Sequence, residues 1–78
     1  MDAVEFLKFI VTSLVKNTAD VEIERKEDEM GTLLLLKISK EDMGTVIWKG
    51  GKTIDAIRTV LRVYGSKTNA RVNLKVVE

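Results

Sequence analysis

The stretch "VIWKGGKT", residues 46–53, decides how this chain is read. Two adjacent glycines, Gly50 and Gly51, stand between Lys49 and Lys52, and the single tryptophan, Trp48, precedes them. Val46 and Ile47 lead into the loop, and a second apolar run opens at Ile54. A glycine loop between two apolar segments connects two elements. Their spacing says which kind.

After the loop, residues 52–64 set Ile54, Ile57, Val60, Leu61 and Tyr64 on one stripe and Asp55, Arg58 and Arg62 on another. That is the pattern of a helix with one buried face. Gly65 is expected to close it just past the last turn. Before the loop, "SKED" at 39–42 has the Ser-x-x-acid form of a capping box, so a short helix should begin after Ser39 and run through Met43, Val46 and Ile47. Further out, residues 2–15 place Val4, Leu7, Val11 and Leu14 at helical spacing, with Asp2 as N-cap and an end at Asn17 and Thr18. "VEIER" alternates as a strand, "DEMG" is a turn with Gly31 at the positive-φ position, and "TLLLLKI" at 32–38 is a second strand. "ARVNLKVV" closes as a third strand, with Val72, Leu74 and Val76 on one face and Arg71, Asn73 and Lys75 on the other. The order is α-β-β-α-α-β. It predicts an α+β fold in which three helices cover one face of a three-stranded sheet.

Composition narrows the function. Seventy-eight residues make one domain, 1–78. The chain contains neither histidine nor cysteine, so the commonest general base, thiolate chemistry and disulfides are excluded. An enzyme is not expected, nor a metal or cofactor. No apolar run approaches the ~20 residues that span a membrane. Asp2, Glu5 and Lys8 interrupt the first apolar segment, and no small-residue cleavage site follows, so a cytoplasmic protein without a leader is expected. The formal net charge of +1 conceals a segregation. Residues 20–29 hold six acids and two bases, whereas 49–75 hold seven bases (Lys49, Lys52, Arg58, Arg62, Lys67, Arg71, Lys75) against Asp55 alone. A basic half suits a polyanion; it also suits an ordinary solvated surface.

The loop's physics favours an anion. The first N–H groups of the helix after it lack intrahelical partners, and the helix dipole makes that end partly positive. Glycine lets the backbone approach closely. A P-loop would need a further glycine five residues before Gly51, where Val46 stands, and a preceding strand, so "GGKT" is not one.

With the glycine loop between its central helices, this order resembles a type II KH domain, and in particular the small bacterial single-KH proteins of the KhpA type. "GTVI" at 44–47, "AIRTVL" at 56–61 and "RVNLKVV" at 71–77 carry the likeness, which covers essentially the whole chain. The resemblance implies binding of single-stranded RNA, as a small RNA chaperone or regulator in a bacterial cytoplasm. In KH domains the GxxG loop clamps the backbone of about four nucleotides. The bases lie in a groove between the paired helices and a strand. Carried over, the loop is Trp48-Lys49-Gly50-Gly51, with Ile47 and Ile54 flanking the groove floor and Lys49 and Lys52 meeting phosphates. Arg58 and Arg62 would continue the basic path along the third helix.

Here the chain departs from the pattern, because Trp48 stands where the first glycine belongs. Trp48 admits three readings: a platform stacking on a base, worth roughly 1–3 kcal/mol; a filler of the groove or anchor for a protein contact; or an engineered substitution, either to weaken binding or to serve as a fluorophore. The rival to RNA binding is a protein-interaction module. Leu33 and Leu35 lie opposite Leu34 and Leu36 on the second strand, so one leucine pair is left for a partner. The resemblance implies either a homodimer or pairing with a larger KH-containing protein.

Overall fold

The computed structural model describes residues 2–46, 52–67 and 71–77. Helix α1 (Ala3–Thr12) begins where expected, with the Glu5 amide donating to Asp2 Oδ1 at 2.8 Å. It ends earlier than the periodicity suggests. The hydroxyls of Thr12 and Ser13 donate back to the Lys8 and Phe9 carbonyls, both at 2.7 Å, and this competition marks the last turn. Leu14 therefore leaves the core stripe and is exposed. A short 3₁₀ turn, Thr18–Asp20, leads into the sheet.

Strands β1 (Glu22–Asp28) and β2 (Gly31–Lys37) form the expected antiparallel hairpin, and β3 (Val72–Val76) pairs parallel with β2. The order β1-β2-β3 puts β2 in the centre. Register places Leu34 beside Leu74 and Leu36 between Ile23 and Val76. Leu34 and Leu36 are fully buried, while Leu33 and Leu35 face outward and are half-buried. β1 is an edge strand, and its acids and bases discourage pairing with another chain.

Helices α2 (Lys40–Val46) and α3 (Lys52–Lys67) follow β2. Val46, Ile54, Ile57 and Leu61 join Leu7, Val11, Leu34 and Leu36 in one core between the helices and the sheet. Two expectations for α3 are corrected. Gly65 does not close the helix; it is buried on the core stripe, one turn beyond Leu61, and the helix continues to Lys67. Val60 is 44% exposed, because it lies to one side of the Ile57–Leu61 seam, on the groove it lines with Ile10 and Leu14.

The Ser39 cap also takes a different form. Instead of reaching the Ser39 amide, the Asp42 carboxylate accepts from the Ser39 hydroxyl at 2.8 Å and from the Lys16 and Asn17 amides at 2.9 and 3.0 Å. The Asn17 side-chain amide adds a bond at 3.1 Å. Asp42 is only 2% exposed, so these donors replace water. The Lys16 amide first, then those of Asn17 and the Ser39 hydroxyl, hold its pKa down at about 2 against the opposing effect of burial. The start of α2 is thereby tied to the segment leaving α1.

Candidate nucleic-acid interface

Ile47, Trp48, Lys49, Gly50 and Gly51, the expected clamp, lie outside the described residues. The elements that carry them are described. α3 begins at Lys52 and has two unlike flanks. Arg58, Arg62 and Ser66, each one turn from the next, face β3; Ala56 and Val60 face the other way, towards Ile10 and Leu14.

On the β3 flank, Arg58 Nε donates to the Leu74 carbonyl at 3.1 Å, and its Nη1 donates to Asp55 Oδ1 at 3.0 Å. Leu74 O lies on the unpaired side of β3, since the Arg71 carbonyl and Val77 amide, an odd number of residues away, bond to β2. Arg58 thus fastens α3 to the edge strand. Its guanidinium is committed to the fold more than the sequence suggested, although Asp55 was an expected partner.

One turn further on, Arg62 is exposed. It shares a shallow cavity of about 330 Å³ with Ser66, Arg71, Val72 and Asn73. Val72 is buried and forms the apolar floor. Two guanidiniums, a hydroxyl and a carboxamide stand around it. Such a set offers charged donors for phosphate and polar groups for a base edge or ribose. Arg71 and Asn73 escaped the site reading, although their outward-facing alternation with Val72 was the available signal.

The structure does not gather all the expected residues. Lys52 and Arg62 are ten residues apart on one helix, about 15 Å along its axis. Lys52 lies instead beside Ile10, Leu14, Ala56 and Val60, which line a separate apolar groove of about 430 Å³. Ile54 is 4% exposed and belongs to the core, beneath any groove floor. Among the described residues, no group of His, Cys, Asp and Glu is gathered to hold a metal ion. No helix among them is long and apolar enough to cross a membrane.

The family described as "KhpA/KhpB, KH domain" matches residues 4–76. The chain is 39% identical over 75 residues to an "RNA-binding protein KhpA" of Borreliella burgdorferi, covering 96% of this chain and 92% of that one. It is 38% identical to the KhpA of Chlamydia pneumoniae, over 95% of each chain. A KhpA of Listeria monocytogenes is 39% identical over 95% of this chain and 97% of its own. No solved structure matches. With sequence likeness end to end and the α-β-β-α-α-β order in place, the chain belongs to the KhpA/KhpB family of KH domains.

Proposed function

We propose that this protein binds single-stranded RNA along the seam between α3 and β3, as a small cytoplasmic RNA chaperone or regulator and not as an enzyme. The observation that carries the reading is the cavity where Arg62 and Arg71 flank an apolar floor beside Ser66 and Asn73. Relatives named RNA-binding proteins support it. In this reading the backbone enters at Lys49 and Gly51, passes Arg58, and leaves past Arg62 and Arg71, while Lys52, on the other flank of α3, adds charge only at the helix start. Trp48 and Gly50 complete the loop, and Ile47 and Ile54 back it. Fluorescence anisotropy with a labelled single-stranded RNA tests this at two salt concentrations. Log affinity should fall linearly with log salt, by about 0.7 per phosphate contacted. Lys49→Asp with Gly50→Asp should abolish binding and leave the urea midpoint unchanged. Intact affinity in that variant would sink the loop's role. Trp48→Gly decides between its readings: tighter binding means the indole obstructs the clamp, weaker binding means it stacks on a base.

A second reading has its own observation. Leu14 and Val60 are large exposed apolar residues on the groove between α1 and α3, away from the basic seam. Of the two leucine pairs on β2, Leu34 and Leu36 are buried in the core and Leu33 and Leu35 are half-buried, so this groove is the more exposed apolar surface for a protein contact. A second copy of this chain, or a larger KH-containing protein, would cover it. Leu14→Ser with Val60→Ser should shift the sedimentation coefficient to that of a monomer without changing the salt dependence of RNA binding.

A further inference from the structure

Gly31 opens β2 at the tip of the hairpin, far in sequence from the basic cavity. Two constraints meet there. Its φ of +132° is a conformation that residues with a side chain rarely adopt. Independently, a Cβ at this position would collide with the Arg71 carbonyl oxygen and fall 2.8 Å from Arg71 Cβ. The amide of the next residue, Thr32, donates to that same carbonyl at 2.7 Å. The φ value alone would explain a turn glycine. The close approach concerns another element, and it fixes the root of one particular side chain.

That side chain is Arg71, which shares the cavity with Arg62. We infer that Gly31 is a positioning residue for the RNA groove: by carrying no side chain, it lets the hairpin seat the Arg71 backbone so that its guanidinium stands with Arg62 over Val72. The inference rests on the RNA reading of that cavity. Gly31 itself touches no RNA. A methyl group at 31 displaces the Arg71 carbonyl and Cβ, since the contact is with backbone and the base of a side chain rather than with a flexible end. Arg71 then keeps its charge but loses its place relative to Arg62. A merely structural glycine would weaken the fold and leave the number of phosphate contacts alone.

The test is a double-mutant cycle on the full chain with a fluorescein-labelled, mixed-sequence single-stranded RNA, read as affinity and salt slope. Arg71→Ala should weaken binding several-fold and reduce the slope by about 0.7, the share of one phosphate. Gly31→Ala should reproduce that loss, and the double variant should bind no more weakly than Arg71→Ala. Urea midpoints of all four proteins separate lost stability from lost contact. Equal losses from Gly31→Ala in both backgrounds, or wild-type affinity in Gly31→Ala, overturn the role of Gly31 alone. If Arg71→Ala changes neither affinity nor slope, the cavity is not an RNA contact, and both readings fall. Should Gly31→Ala not fold, the wild-type protein still decides the matter by NMR. On RNA titration the Thr32 amide should shift in step with Arg71 Nε; a stationary Thr32 beside a moving Arg71 Nε overturns the coupling.

Discussion

Leu61, 1% exposed on α3, is the simplest test of the core. Leu61→Ala removes buried carbons and leaves a cavity, so it should cost about 2–5 kcal/mol, read from the shift of the urea midpoint. A change below about half a kcal/mol would mean that α3 packs by another face. Asp42 gives a test in pH. Its folded-state pKa is depressed, so its contribution is fully present above the ordinary value of 3.8 and is lost as pH falls through about 2. Asp42→Asn should therefore lower stability at neutral pH and flatten the acid decline over that window. An unchanged decline would mean that other carboxylates set it. Among single residues the sequence showed Asp2 as a cap, Gly31 as a positive-φ position and Leu61 as core. It could not show that Asp42 would reach the Lys16 and Asn17 amides, because a capping motif specifies a local bond and this one spans two elements.

At the scale of the element, α3 separates two arginines that look equivalent in sequence. Arg58 bonds to Leu74 O and Asp55, while Arg62 is exposed at the cavity. Arg58→Ala should cost stability, about 1 kcal/mol given its partial exposure. Arg62→Ala should stay within about 0.5 kcal/mol of wild type yet lower the RNA salt slope by the share of one contact. The opposite pattern, with Arg62 stabilising and Arg58 silent, would reverse these assignments. The existence and order of the helices and strands were legible, because each has a clear period. Their limits were less so. A stripe at i, i+3, i+4 holds Val60 as well as Leu61, and only the position of α1 decides which is covered. Thr12 and Ser13 end α1 through side-chain bonds that hydrophobic spacing does not record. Arg71 joins Arg62 only because β3 runs parallel to β2 under α3, which is a fact of topology.

Across the whole molecule, the segregation seen along the chain becomes one in space. Acidic β1 and basic β3 are opposite edges of the sheet, with β2 between them. Two strand spacings are about 10 Å, close to the Debye length at 0.1 M salt. The acidic edge is therefore felt at the basic one in dilute buffer and largely screened at higher salt. Glu22→Gln with Glu24→Gln should speed RNA association in stopped-flow measurements at low salt, leave dissociation unchanged, and lose its effect as salt rises. A change confined to dissociation would place RNA on β1 itself.

The parallel pairing of β3 with β2 also sets an order of assembly. The hairpin closes over a two-residue turn, whereas Thr32 meets Val72 only after two helices have been laid between them. Loop-closure entropy makes the second pairing the slower one. Both β1 and β3 are edge strands, but β3 pairs over Val72–Val76 alone against the longer Glu22–Asp28 ladder of β1, so it is the natural place for the native protein to open first. In hydrogen exchange, the β3 amides should therefore lose protection before those shared by β1 and β2. Since Arg71, Val72 and Asn73 come with that strand, the groove itself opens and closes with it, and bound RNA should slow exchange at β3 more than anywhere in the hairpin.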